Sequence, residues 1–194
     1  MLDDTALDIL FRKARTHRRW QDRAVTDAHL QQVFDLMKMA PTSGNCSPAR
    51  IAFVRSPEAK ARLKPALSEG NVEQTMTAPV TAILAYDLKF YDLMPKLLPH
   101  NPDARGWFAD DPQAAEVAAF RNGSLQGAYF ILAARAVGLD CGPMSGFDNA
   151  KVDNEFFHNS SVKSNFLCNL GFGDPARLHP RSPRLDFAEA CKVL

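Results

Sequence analysis

The chain lacks a CxxC pair, a marked excess of charge of either sign and an apolar run long enough to cross a membrane. The cysteines Cys46, Cys141, Cys168 and Cys191 are widely separated, which argues against a zinc knot or a thioredoxin-type couple and favours reduced, mostly buried thiols. With 23 basic and 22 acidic residues, no chain-wide field attracts nucleic acid or anionic membrane. Acidic residues lie near the N-terminus, where a signal peptide would have positive charge. The pattern does not indicate a signal peptide, and we therefore expect a cytoplasmic protein.

The composition is that of an ordinary globular protein, with 46% hydrophobic and 23% charged residues in a chain of 194. This length suits one domain with a substantial core. No internal repeat or low-complexity linker divides the chain. We therefore expect a single domain over residues 1–194.

Helical and strand patterns alternate along the chain, which indicates a mixed α and β protein. Helices are predicted over 5–14, from a Thr26 cap to Pro41, from a Ser56 cap to a stop near Gly70, over 113–137 and briefly after Phe147. Strands are predicted over 51–54, 80–86 and 165–170. The second strand is apolar almost throughout, which favours a central position covered on both faces.

Two segments have an unusual composition. Residues 87–112 contain four prolines and several aromatics, which predicts an irregular stretch of short helices, either a cover for a pocket or a surface excursion. The helix over 113–137 contains Gly123 and Gly127, and their missing side chains permit close packing against the sheet or a second subunit.

Two loops rich in glycine and proline are candidates for ligand binding. The first, Pro41-Thr42-Ser43-Gly44-Asn45-Cys46-Ser47-Pro48, places small polar residues between two prolines, after a helix and before a strand. The second is predicted over 141–147. Taken alone, the first loop is more simply an ordinary connector between a helix and a strand. Only the presence of other motifs favours the interpretation as a ligand-binding loop.

Three separated motifs together resemble the FMN-dependent nitroreductase family. They are Arg15-Thr16-His17-Arg18, Pro41-Thr42-Ser43-Gly44-Asn45 and Pro143-Met144-Ser145-Gly146-Phe147, and they extend over nearly the whole chain. The resemblance implies an α+β nitroreductase-like fold with a central, mainly antiparallel sheet flanked by helices. It also implies a homodimer with FMN at the subunit interface.

The resemblance also implies roles for single residues. Arg15, Thr16 and Arg18, with Arg181 or Arg184 of the tail, would hold the FMN phosphate, for which the forked guanidinium is suited. Ser43 and Asn45 would face the flavin from one subunit and Asn71 its pyrimidine edge from the other, with the backbone amides of Ser145 and Gly146 near the reactive nitrogen. The other predicted cofactor-site members are His17, Pro41, Thr42, Pro143 and Met144.

A narrower resemblance concerns the electron acceptor. Arg-Thr-His ahead of Trp20 and the runs 78–82 and 142–148 are similar to the malonic semialdehyde reductase branch of uracil catabolism. It implies ping-pong transfer of hydride from NAD(P)H through FMN to a small aldehyde, malonic semialdehyde, giving 3-hydroxypropionate. It requires neither a metal nor a catalytic side chain. Nitroaromatics or quinones are the alternative acceptors within the family.

The chain departs from the family pattern at a few positions, and two hypotheses from other classes stay open. Ser47, Ser145 and residues 73–74 stand where many relatives have glutamine, an acid and lysine. A cysteine hydrolase would use Cys46 as nucleophile with His17 or His100 as base. A non-enzymatic flavin-binding protein would keep the cofactor pocket but exclude substrate.

Overall fold

A four-stranded sheet lies at the centre of the protein in the computed structural model, which describes residues 1–194. Its strands are β1 (Ala49–Val54), β2 (Val80–Asp87), β3 (Asp140–Met144) and β4 (Val162–Gly171). Their order is β1-β2-β4-β3, and every neighbouring pair is antiparallel. The α+β fold with a mainly antiparallel sheet is therefore confirmed, and β2 is an inner strand, as its apolar run predicts.

Helices of very different length surround this sheet. They are α1 (Asp4–Leu7, extended by a π-helix at Asp8–Arg12), α2 (Asp27–Met37), α3 (Pro57–Leu63), α4 (Glu69–Thr77), α5 (Met94–Leu97), α6 (Gly106–Ala109), α7 (Pro112–Ala136), α8 (Asn149–Phe156) and α9 (Phe187–Ala190). None of them combines the length and hydrophobicity that crossing a membrane requires. The short helices predicted within 87–112 are confirmed.

Local capping explains where α2 and α3 begin. Thr26 accepts a hydrogen bond from the His29 amide, and the His29 side chain accepts one from the Thr26 amide. Ser56 caps α3 with Pro57 in the first turn, as predicted. The predicted stop at Gly70 is wrong, because α3 ends at Leu63, ahead of Pro65, and Gly70 lies in the first turn of the separate helix α4.

The second predicted loop is wrong in its first half. Residues up to Met144 belong to β3, which is an edge strand and pairs with β4 on one side only. An edge strand tolerates Pro143 because one side of its backbone has no ladder partner to lose. Only 145–147 form a loop between β3 and α8.

The two faces of the sheet are covered by different helices. Leu84 of β2 and Phe130 and Ala134 of α7 belong to the largest apolar cluster, to which α2 also contributes. Ile83 packs on the opposite face with residues of α3 and α8. The predicted close approach of α7 to the sheet is confirmed, since a Cβ on Gly127 would lie 2.5 Å from the Phe166 ring.

Lys60 of α3 is buried, with 4% of its surface exposed, and no carboxylate lies beside it. Its ammonium donates to the carbonyl oxygens of Thr75 and Ala78, where α4 ends, and to the Thr81 hydroxyl at 3.2 Å. The ammonium therefore caps the C-terminus of α4. Burial lowers the pKa of Lys60 to about 8.

We expect Lys60 to make the protein more stable as the pH rises from about 8 towards 10.5. Because its pKa is lower in the folded than in the unfolded chain, the unfolded chain binds more protons in this window, and the free energy of unfolding rises with pH. Urea unfolding at pH 7.5 and 9.5 should show the wild-type protein gaining about 2 kcal/mol relative to Lys60→Met. The exposed Lys64→Met is the control, and equal pH responses of wild type and Lys60→Met would contradict the expectation.

Candidate functional site

The segment after the first helix is held in place by the edge of the sheet. The His17 amide donates to the Cys141 carbonyl at 2.9 Å, and Thr16 forms a parallel bridge with Cys141. Further along, Trp20 bridges to Gly173, and the Asp174 amide donates to the Arg19 carbonyl. This backbone pairing aligns 15–19 beside β3 and the end of β4, so the basic run of the sequence becomes a fixed wall.

A polar cavity of about 670 Å³ opens along this wall. The N-terminal segment, the start of α4, the last turn of α7 and the tail contribute to its lining. Its cationic residues are all arginines: Arg15, Arg18, Arg19, Arg135, Arg177, Arg181 and Arg184. The structure thus brings together five of the residues predicted to bind a phosphate, namely Arg15, Thr16, Arg18, Arg181 and Arg184.

The tail is tied to the N-terminal segment by reciprocal hydrogen bonds. Arg181 Nη2 donates to the carbonyl oxygens of Arg12 and Ala14, both at 2.8 Å. In the other direction, Arg15 donates to the carbonyl of His179. These two arginines therefore hold the N-terminal segment and the tail together. The bonds to carbonyl oxygens occupy only some of the N–H donors of each guanidinium, and the other donors are available to a ligand.

The charge in the cavity is almost unopposed. Its acidic member, Glu73 of α4, pairs with Arg19 through contacts of 2.6 and 2.8 Å. The Arg19 guanidinium lowers the pKa of Glu73, and the hydrogen bond from Arg19 to Glu73 raises the pKa of Arg19 in turn. None of the other cavity arginines has a carboxylate within salt-bridge distance. The cavity is chemically suited to bind phosphate or another multivalent anion.

His17 does not line this cavity, unlike its neighbours Thr16 and Arg18 in the basic motif. Its ring is buried, with 6% of the residue exposed, and Nε2 lies 3.5 Å from a carboxylate oxygen of Asp140. A Cβ on Gly173 would come within 2.0 Å of the ring. The histidine side chain therefore anchors the basic segment to the sheet, while its neighbours in sequence face the cavity.

A second group of site residues lies where the 145–147 loop packs against α4. Asn71 Nδ2 donates to the Gly146 carbonyl at 2.8 Å, and Gln74 donates to the Asn71 side-chain oxygen. A Cβ on Gly146 would meet Asn71 Nδ2 at 2.4 Å, so this close approach requires glycine. The backbone amides of Ser145 and Gly146 donate no hydrogen bond within the chain, and both can therefore serve a ligand.

The helix α4 connects this group to the arginine cavity. Gly70, Glu73 and Gln74 line the cavity, whereas Asn71 of the same helix holds Gly146. The Gln74 carbonyl accepts from Trp20 Nε1 at 3.2 Å and from Asn169, which fixes the helix to the basic segment and to the sheet. An anion site and a set of free amides thus share one rigid support.

The loop after α2 has a strained backbone. Asn45 and Ser47 have φ values of 52° and 39°, in the left-handed region that non-glycine residues rarely occupy. The Ser47 amide donates to the Thr42 hydroxyl, the Ser43 amide donates to Asn122, and Asn45 Nδ2 donates to the Leu97 carbonyl. The Ser43 hydroxyl and the Asn45 side-chain oxygen have no partner within the chain and lie on exposed residues.

The remaining predicted site residues mainly contact other parts of the chain. Pro41 precedes the strained loop, and Thr42 shapes it through its hydroxyl. Pro143 lies opposite Cys168 in the sheet, and the Met144 sulfur accepts a hydrogen bond from Thr75. None of the residues 41–48 lines the arginine cavity of the same chain.

The structure argues against Cys46 as a nucleophile. Cys46 is 1% exposed, and burial raises the pKa of its thiol, so the reactive thiolate is disfavoured. Neither His17 nor His100 forms a hydrogen bond with it. Cys141 and Cys168 are buried as well, whereas Cys191 is exposed, so the prediction of mostly buried cysteines is confirmed.

Several cavity residues were missed from the sequence. Arg19 directly follows the predicted cluster and could have been included, and Arg177 belongs to the same arginine-rich tail. Arg135 gave no signal, because the sequence does not show that the last turn of α7 ends beside the basic segment. Gln74 was missed together with the helix that carries it.

The chain is similar to known proteins over most of its length. The model of the Nitroreductase family matches residues 11–173. A Burkholderia lata protein provisionally named NADH dehydrogenase/NAD(P)H nitroreductase is 62% identical over 192 residues, which cover 99% of this chain and 98% of that protein. HadB of Ralstonia pickettii, with the same provisional name, is 58% identical over 190 residues, which cover 97% of each chain.

A solved structure gives the same fold. The FMN complex of a protein from Exiguobacterium sibiricum, provisionally described as a nitroreductase, has a TM-score of 0.88 to this chain. Its sequence is 21% identical, and the superposition covers 100% of this chain and 98% of that one. Together, the family match over most of the chain, the high identity to the two relatives and the shared fold establish that the protein belongs to the nitroreductase family.

Proposed function

We propose that this protein is an FMN-dependent oxidoreductase that passes hydride from NAD(P)H to a small electron acceptor. The proposal rests above all on the arginine cavity and the free amides of Ser145 and Gly146, which α4 holds side by side. A phosphate monoester needs cations and donors, and the edge of a flavin ring needs well-placed hydrogen-bond partners. The two halves of the site offer these two chemistries.

The residues present fit FMN. Arg15, Thr16 and Arg18 with Arg181 or Arg184 would hold the phosphate, because these cations have no carboxylate partner. The amides of Ser145 and Gly146 would hydrogen-bond the ring, because neither donates a hydrogen bond within the chain. Bound FMN supplies the hydride chemistry, and the protein supplies position, charge and exclusion of water.

The proposal includes a homodimer with a cofactor site shared between subunits. The Ser43 hydroxyl and the Asn45 oxygen are free, yet the loop that carries them is absent from the arginine cavity of its own chain. Exposed apolar side chains along α7, at Val117, Phe120 and Leu125, support burial against a second copy. Light scattering should give twice the chain mass of 21.5 kDa, and a monomer with full flavin binding would contradict a shared site.

For the acceptor, we propose malonic semialdehyde, on the resemblance of 78–82 and 142–148 to that branch of the family. Hydride would reach the aldehyde carbon and a proton would reach its oxygen, giving 3-hydroxypropionate and NAD(P)⁺. A nitroaromatic or quinone is the second candidate, because the two relatives above carry the name NAD(P)H nitroreductase. Arg105 pairs with Asp92 at 2.8 Å, so its charge is already opposed by a carboxylate of the protein.

Anaerobic spectroscopy tests the activity and the acceptor in turn. We expect the purified protein to show yellow flavin absorbance, which NADH or NADPH bleaches and an acceptor restores. Malonic semialdehyde, a nitroaromatic and a quinone are compared at equal concentration, and the acceptor with the fastest reoxidation identifies the class. No flavin absorbance after FMN addition would overturn the proposal, and flavin that neither dinucleotide bleaches would instead favour a non-enzymatic flavin-binding protein.

A further inference from the structure

The arginine cavity carries more positive charge than one FMN phosphate can balance. Six of its arginines have no carboxylate partner: Arg15, Arg18, Arg135, Arg177, Arg181 and Arg184. A phosphate monoester contributes only about two negative charges at neutral pH. About four positive charges therefore remain when a single phosphate is bound. Four of the six arginines are exposed, so water screens part of this charge, and the remainder attracts a second anion to the open cavity.

The cavity is also larger than a single phosphate group requires. Its volume of about 670 Å³ is within the range of pockets that hold a whole small ligand. Only two hydrophobic residues line it, so it does not offer the apolar surface on which an aromatic ring packs. The space is better suited to phosphate and sugar groups than to the flavin ring.

Two of the excess cations come from outside the predicted phosphate motif. Arg177 ends a 3-10 turn in the tail, and its guanidinium makes no hydrogen bond within the chain. Arg135 projects from the last turn of α7, donates to the Leu10 carbonyl at 2.8 Å and leaves its buried Nε without a partner. Both side chains line the cavity and retain donors that the fold itself does not use.

We propose that this cavity binds a second phosphate-bearing group beside the FMN phosphate, namely the phosphates of the reduced dinucleotide, with Arg177 and Arg135 as ligands. The proposal rests on the proposed flavin-dependent function, which requires a dinucleotide to visit the site in every cycle. The dinucleotide diphosphate carries about two charges and the additional 2′-phosphate of NADPH about two more. NADPH, which carries both groups, would balance the charge that FMN leaves over, and NADH would balance about half of it.

The test uses the FMN-loaded protein and binding rather than turnover. Wild type, Arg177→Ala and the control Arg55→Ala, an exposed arginine paired with Asp27 outside the cavity, are titrated with NADP⁺, NAD⁺ and inorganic pyrophosphate while the FMN spectrum is monitored. We expect Arg177→Ala to weaken NADP⁺ binding about tenfold and FMN binding less than twofold. The Arg55→Ala control should bind both as wild type does.

The outcomes distinguish the diphosphate from the 2′-phosphate as the group that is bound. They also separate this inference from the proposed flavin-dependent function. If Arg177→Ala weakens the binding of NADP⁺ alone, Arg177 contacts the 2′-phosphate. If it weakens the binding of NADP⁺, NAD⁺ and pyrophosphate equally, Arg177 contacts the diphosphate. Both results support the inference. Unchanged dinucleotide binding, displacement of FMN by pyrophosphate, or a loss confined to FMN overturns the inference and leaves the flavin function standing. A wild-type protein that retains no FMN overturns both.

Discussion

Alanine at both Arg15 and Arg181 is expected to weaken FMN binding by at least 100-fold. Each guanidinium can give charge-assisted hydrogen bonds to a phosphate, worth about 1.5–3 kcal/mol apiece, and about 1.4 kcal/mol corresponds to a factor of ten. The same two side chains also tie the tail to the N-terminal segment, through the carbonyls of His179, Arg12 and Ala14. Their joint removal therefore takes away two of the proposed phosphate ligands and the reciprocal bonds that hold the cavity wall.

Titration of apoprotein with FMN, followed by flavin fluorescence, measures this effect. The matched control is Arg55→Ala with Arg62→Ala, two exposed arginines that pair with Asp27 and Glu155 outside the cavity. The control also removes two positive charges, so it corrects for net charge. The wild-type affinity should weaken with added salt more steeply than that of the double variant, because salt screens the arginine charges. A double variant within twofold of wild type would place the phosphate elsewhere.

The substitution Gly142→Ala is expected to lower both stability and FMN affinity. The new Cβ would lie 2.5 Å from the carbonyl oxygen of His17, which is backbone and cannot rotate away. Either β3 or the basic segment must move, and overpacking of this kind costs about 1–3 kcal/mol. The hydrogen bond from the His17 amide to the Cys141 carbonyl would weaken as well. Because this pairing positions Arg15, Thr16 and Arg18, the proposed phosphate ligands would shift with it.

Urea unfolding and FMN titration of the same variant separate the two effects. Gly106→Ala is the control, since a Cβ there meets nothing within 4 Å and alanine is a better helix former than glycine. We expect Gly142→Ala to lose about 2 kcal/mol of unfolding free energy and about tenfold in FMN affinity. A variant that is destabilised but binds FMN as tightly as wild type would show that the pairing with β3 does not position the phosphate site.

The sequence predicts elements well where local chemistry decides them. Thr26 and Ser56 cap α2 and α3 through side-chain oxygens that accept from backbone amides three residues on. The long helix with Gly123 and Gly127 and the apolar strand 80–86 are likewise found where predicted. Each of these signals lies within a few residues of the feature that it specifies.

The errors lie where a distant contact decides. Pro143 suggests a loop, but it lies in β3, because β4 is the only ladder partner of this edge strand and the bridge on its other side involves Cys141, not Pro143. The separate helix α4 is an exception, because its start at Ser68 and Glu69 is a local signal, which Gly70 obscures by suggesting a helix end. Within the basic motif, the pairing of Thr16 and the His17 amide with Cys141 of β3 turns the His17 ring inward, towards Asp140, a placement that the sequence does not show.

By itself, the sequence determined the helices and inner strands that capping and hydrophobic periodicity specify, and the three motifs that indicate the family. The tertiary structure alone decided which of those residues share a site. It placed Arg135 of α7 and Arg177 of the tail beside Arg15, Arg18 and Arg19, and it linked this cavity through α4 to the free amides of Ser145 and Gly146. The physical reason is that capping and periodicity are local, whereas this cavity is made by backbone bridges and side-chain hydrogen bonds between segments more than a hundred residues apart.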